Sequence, residues 1–249
     1  MRSLTRPAAL VLALLAFAGV APASAQYFGR NKVQYRTFDF RVLRTPHFDI
    51  YFYPAESLAA HDAGRMAERW YARHSETFSH QFERKSVVLY ADHADFEQTN
   101  VVSESPDQGE QGVTEGLRTR VVMPLQGSYK ETDHVLGHEL VHVFQYDIAE
   151  NGDVNGLARM GTLPGWLIEG MAEYFSLGRN SPLTAMWMRD AVERDSFPTI
   201  DQLTNDPRFF PYRYGQALWA YVAGRWGDRA VVDVYRTSLR MGLANAITR

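Results

Sequence analysis

A chain of 249 residues, 45% hydrophobic and 22% charged, carries enough apolar material for a core, which excludes disordered and fibrous classes. A net charge of −3 leaves no basic footprint for nucleic acid. With no cysteine, the chain has no disulfide, no cysteine-ligated zinc and no thiol for a lipoprotein anchor.

The N-terminus predicts a signal peptide over residues 1–25. Arg2 and Arg6 precede the apolar run Ala8 to Val20, and the small residues Ala23-Ser24-Ala25 form a cleavage site. That run is too short and wrongly flanked for a good membrane span. The expectation is export to the periplasm or beyond the cell, with no stable span after cleavage. From Gln26 no Pro/Gly/Ser-rich linker interrupts the chain, which predicts one domain over 26–249.

"FDFRVLRT" (38–45) and "HFDIYFYP" (47–54) alternate apolar and polar residues, predicting two strands around a turn at Thr45-Pro46. Residues 56–80 carry Leu58, Met66, Trp70 and Phe78 at helical spacing. "SVVLYAD" (86–92) reads as a short buried strand, "SESPDQGEQG" (103–112) as a polar loop, and "LRTRVVMPL" (117–125) as another strand. After that strand the pattern is helical. A small N-terminal sheet followed by a mostly helical half predicts an α+β fold. The final stretch, "RAVVDVYRTSLRMGLANAITR", lacks a closing capping signal and reads as part of a longer chain.

Ser128 with Glu131 three residues on forms a capping-box pattern, so a helix is expected to begin near Tyr129. Val135, Leu136, Val143 and Phe144 would supply its buried stripe. His138 and His142 are four apart and share a face, so their imidazoles can converge on one metal. Glu139 is offset from His138 by about 100°, which suits holding a metal-bound water rather than the metal. A match to His-Glu-x-x-His alone also fits a chance helix.

"LPGWLIEGMAEYFSLG" (163–178) supplies more. Pro164 suits a helix start and Gly178 its stop. Glu169 and Glu173 are four apart on one face of a half-apolar helix, and acids so placed need partners if buried. One zinc ion on His138, His142 and Glu169 leaves a fourth position open for water. Glu173 would then sit behind, bonded to a ligand imidazole and fixing its tautomer. Gly170, without a side chain, would let the two helices approach. His134, four before His138, could reach the cleft edge, whereas His47, His61, His74, His80 and His93 have no partner at ligand spacing.

"HELVH" followed by "WLIEGMAEY" resembles the gluzincin zinc metallopeptidases, in which the third ligand is a glutamate on the next helix. The resemblance implies a zincin-like helical half, zinc on His138, His142 and Glu169, and Glu139 as general base. The position of Glu173 resembles the acid that the thermolysin branch carries behind its ligands. "PYRYGQALWAYVAGRWG" (211–227) resembles the aminopeptidase segment whose tyrosine steadies the tetrahedral intermediate, which implies that role for Tyr212. The spacing between the two motifs is longer than in either branch, so 150–162 is expected to form an enlarged loop. The motif that grips a substrate's amino terminus in aminopeptidases, Gly-x-Met-Glu-Asn, is missing, which favours an endopeptidase. The strand over 117–125 could hold an extended peptide by edge pairing. Residues 28–54 resemble the start of large bacterial exported proteins in which a C-terminal TolB-like β-propeller follows a peptidase-like domain. The rival expectation is a metal-bound scaffold of a larger envelope protein, without proteolysis.

Overall fold

Side chains that alternate between two faces build the sheet strand by strand. In the computed structural model of the protein, which describes residues 34–101, 109–151, 153 and 155–247, β1 (Arg41–Arg44) and β2 (Phe48–Phe52) form an antiparallel hairpin. The turn falls at Thr45-Pro46 as expected, closed by the Thr45 N–H donating to the Phe48 carbonyl at 2.9 Å. The expected signal peptide and residues 103–108 of the polar loop lie outside the described residues.

Helix α1 (Ser57–Phe78) connects β2 to β3 (Lys85–Tyr90), which runs parallel to β2. Trp70 and Phe78 of α1 are buried, but Leu58 is exposed, and the buried stripe begins instead with the small residues Ala60, Ala63 and Ala67. A single turn, α2 (His93–Phe96), follows, and then β4 (Val113–Glu115) and β5 (Arg120–Pro124). β5 is parallel to β3 and antiparallel to β4, giving a mixed sheet of order β1-β2-β3-β5-β4. This corrects one expectation. Val121 and Val122 at the middle of β5 are paired on both sides, so β5 is an inner strand and not an edge. Among the described residues the edges are β1 and, on the side of β5, β4, which is too short for alternation to reveal.

One face of the sheet, carrying Phe48, Ile50, Val87, Leu89, Val121 and Met123, is sealed by helices. Each such buried side chain contributes about 1.5–3 kcal/mol. The other face carries a smaller aromatic cluster of Tyr53, Tyr90, Phe96 and Val122.

Helix α3 (Tyr129–Glu150) begins where the capping pattern predicted. The Ser128 hydroxyl accepts from the Glu131 N–H at 3.2 Å, a cap worth about 1 kcal/mol. The hydroxyl also donates to the Glu131 carboxylate at 3.0 Å, so the box closes side chain to side chain. From Val135 to Gln145 every residue of α3 is buried. The helix is therefore central rather than amphipathic, with α1 and the sheet on one side.

The connection expected as a long loop holds a short helix, α4 (Gly156–Met160), tied by Arg159 Nε to the Leu239 carbonyl at 2.8 Å. Then come α5 (Gly165–Leu177), α6 (Pro182–Glu193), α7 (Ile200–Asn205), α8 (Pro211–Trp226), α9 (Asp228–Met241) and α10 (Leu243–Ile247). Pro164 caps α5, and Gly178, at φ 78°, stops it. Gly170 does allow a close approach, but not to α3. A Cβ there would run into the backbone of Gly215 on α8, and one on Gly215 would meet the Trp166 carbonyl. This glycine contact presses α5 against α8. The whole is an α+β fold, and among the described residues no helix is long and apolar enough to cross a membrane.

Candidate metal centre

Three helices deliver the six residues singled out in the sequence to one cleft of about 640 Å³. α3 brings His138, Glu139 and His142, α5 brings Glu169 and Glu173, and α8 brings Tyr212. The 3.6-residue period puts His138 and His142 one turn apart, with ring centroids 4.9 Å from each other. Their Nε2 atoms are 3.1 Å apart, and each is 3.2 Å from Glu169 Oε2.

This near-equilateral triangle fits a metal. A tetrahedral cation with bonds of about 2.0–2.1 Å holds its ligand atoms about 3.3 Å apart. Two imidazole lone pairs cannot face each other at 3.1 Å without a cation or proton between them. The outer nitrogens already have acceptors. His138 Nδ1 donates to Glu173 Oε1 at 3.1 Å, and His142 Nδ1 donates to Gln145 Oε1 at 2.7 Å. Both Nε2 lone pairs are thereby directed at the shared point.

Electrostatics state the same demand. Burial alone would lower the His138 imidazole, but hydrogen bonds to Glu169 and Glu173, with the charges of Glu139 and Glu169, push it up to about 10. His142 is raised too, its burial offset mainly by the charge of Glu169. Burial would raise Glu169, yet the two imidazoles hold it well below the usual carboxylate range. Glu173 is likewise held low against its burial, by His134 and His138. Acids clustered around two imidazoles require positive charge at the centre.

His134, His138 and Glu173 form a second group with metal-ligand spacing. Arg213 Nη1 already donates to Glu173 Oε2 at 2.7 Å, so a guanidinium fills the cation's place there. His134 Nε2 lies 3.2 Å from Glu173 Oε1 on the cleft wall. Tyr212 stacks on the His138 ring at 5.8 Å, with an interplanar angle of 11°. Burial, then the charge of Glu169 and a hydrogen bond to it, push its hydroxyl far above the usual phenol range.

Sequence reasoning missed three side chains. Gln145, one turn after His142, also donates from Nε2 to the Ile168 carbonyl at 3.2 Å, tying α3 to α5 beside Glu169. Its i+3 spacing from His142 was the available signal. Arg213 follows Tyr212 directly. Thr114 Oγ1 lies 2.7 Å from Glu139 Oε2, across the cleft wall, and no local pattern could reveal it. The other histidines stay apart: His47 pairs with Glu68 and His80 with Asp147, and His74 is buried in the core.

Residues 76–200, half of the chain, match the family model described as peptidase of plants and bacteria. No curated protein and no solved structure gives a match.

Proposed function

The chain belongs to the family of peptidases of plants and bacteria, and from that premise we propose that it is a zinc-dependent endopeptidase of gluzincin type, with zinc held by His138, His142 and Glu169. The observation that carries the reading is the triangle of donor atoms, with edges of 3.1 and 3.2 Å, and the Glu139 carboxylate beside it in one cleft. Two imidazoles and one carboxylate suit zinc and leave a fourth position open.

When bound, zinc polarises a carbonyl and lowers the pKa of a water. The Glu139 carboxylate takes the proton of the attacking water and passes it to the leaving amine. Tyr212 keeps its proton at neutral pH, because burial and Glu169 raise its hydroxyl, so it can donate to the carbonyl oxygen as charge develops. Glu173, braced by Arg213, holds the His138 Nδ1–H and keeps Nε2 free. The unpaired edge of β4 receives the substrate as an added strand. The signal-peptide pattern of residues 1–25 supports a place for this chemistry in the periplasm or outside the cell, and the resemblance of residues 28–54 supports a β-propeller companion in a longer chain.

Elemental mass spectrometry of the purified protein is expected to find about one zinc per chain, lost in His142→Ala. Glu139→Gln is expected to keep zinc and lose cleavage of a mixed peptide library. Cleavage equal to wild type by that variant would reject the mechanism. Zinc in both proteins with cleavage by neither would favour the scaffold.

A further inference from the structure

Resting on the peptidase reading, we propose that the edge-strand segment Gly112–Thr114 positions the Glu139 carboxylate, with Thr114 as the positioning residue. The Thr114 side chain is buried, and its Oγ1 lies 2.7 Å from Glu139 Oε2 and 3.0 Å from the Glu139 carbonyl. A hydroxyl has one proton to give. The shorter contact marks the carboxylate oxygen as the main acceptor. Oε2 is thus engaged, and Oε1 remains to take a proton.

Gly112 accounts for the second oxygen. A Cβ at Gly112 would lie 3.1 Å from both Cγ and Oε1 of Glu139, and 3.2 Å from Val135 Cγ1. The space around Oε1 exists because residue 112 has no side chain. A free glutamate spreads over many rotamers, and selecting one costs conformational entropy. Here one oxygen is bonded and the other has clear room, so the selection is made before substrate arrives.

The pin is rigidly mounted. Thr114 stands opposite Val121 of β5, whose side chain is in the main core. Side chains alternate along a strand, so Val113 and Glu115 point away from Glu139 while Thr114 points toward it. Among the described residues the same strand is one of the two edges of the sheet, the one next to α3. Backbone pairing of a peptide along β4 therefore sets the substrate and the residue that positions the base on one element.

The test compares Thr114→Val, which removes the hydroxyl at nearly constant shape, with Thr114→Ser, which keeps it, in the full chain. The readouts are kcat and KM on a peptide that wild type cleaves, zinc content, and melting temperature. Thr114→Val is expected to lower kcat at least about tenfold, a part of the roughly 10²–10⁴ that proton transfer supplies, with KM and zinc content held. Thr114→Ser is expected to return most of kcat. Gly112→Ala, crowding Oε1 without touching the hydroxyl, is expected to lower kcat in the same way, and it carries the test if Thr114→Val does not fold. Wild-type kcat in a zinc-loaded Thr114→Val overturns the proposal. So does an equal fall in Thr114→Ser, which would mark a packing role. An inert wild type, or Glu139→Gln as active as wild type, overturns the peptidase reading itself and this proposal with it.

Discussion

His74 and His138 are both buried, and the carbonyl that His74 contacts, Gly137, is the residue before His138. Their environments could hardly differ more. His74 lies on the core side of α3 among Trp70, Phe78 and Phe144, and burial lowers its imidazole to about 3. His138 lies on the cleft side among Glu139, Glu169 and Glu173, and is pushed up to about 10. Desolvation acts against the charged form in both. Only the cleft supplies carboxylates that overrule it. One helix thus separates a region that expels charge from a region that requires a cation.

The largest loss is expected at Glu169. Glu169→Gln replaces the carboxylate ligand with a neutral amide and removes a charge that raises both imidazoles. Zinc should be lost, and cleavage should fall by more than the about tenfold to hundredfold that residues behind a ligand command. Elemental analysis and peptide kinetics check both, and a zinc-loaded, active variant would remove Glu169 from the ligand set. Glu173→Gln should cost less. The amide can still accept from His138 Nδ1, but Arg213 keeps a half-buried charge with no counter-ion. Zinc affinity, measured by chelator competition, is expected to drop about 10–100-fold.

Protons give a third measure of the cleft. In metal-free protein His138 keeps its proton up to about pH 10, so zinc must displace it. Apparent affinity should therefore rise with pH between 6 and 9, by about tenfold per unit for each proton released. Titration calorimetry in buffers of different ionisation enthalpy reads the proton count directly. A count of zero would mean that the imidazoles are neutral before zinc arrives.

The two sides of α3 were not equally readable from the sequence. The cleft was, because its chemistry is periodic: His138 with His142, and Glu169 with Glu173, repeat at one helical turn, and Ser128, Pro164 and Gly178 mark helix ends by local rules. Thr114 and Arg213 were not, because each meets its carboxylate across a gap in sequence that no period spans. Gly170 announced a close approach, yet only the tertiary packing names Gly215 as its partner. β4 escaped because three residues after a polar loop show no alternation. The core placement of His74 was equally hidden, since a lone histidine on a helix face carries no sign of which way it points.

That hidden side yields the smallest effect and the sharpest sign. The His74 imidazole is depressed in the folded chain, so an unfolded chain takes up its proton near pH 6.5 while the folded chain waits until about 3. The stability gained by keeping it neutral is complete above pH 6.5 and is lost as pH falls through that window, at roughly 1.4 kcal/mol per unit. His74→Phe removes the titrating group along with its hydrogen bond to the Gly137 carbonyl, which is worth about 0.5–1.5 kcal/mol. The variant should melt slightly lower than wild type at pH 7.5 and higher at pH 4.5, with chelator present in both so that zinc loss does not enter. Curves that never cross would mean that a charged His74 finds room or a partner in the core, and the contrast between the two sides of α3 would lose its physical basis.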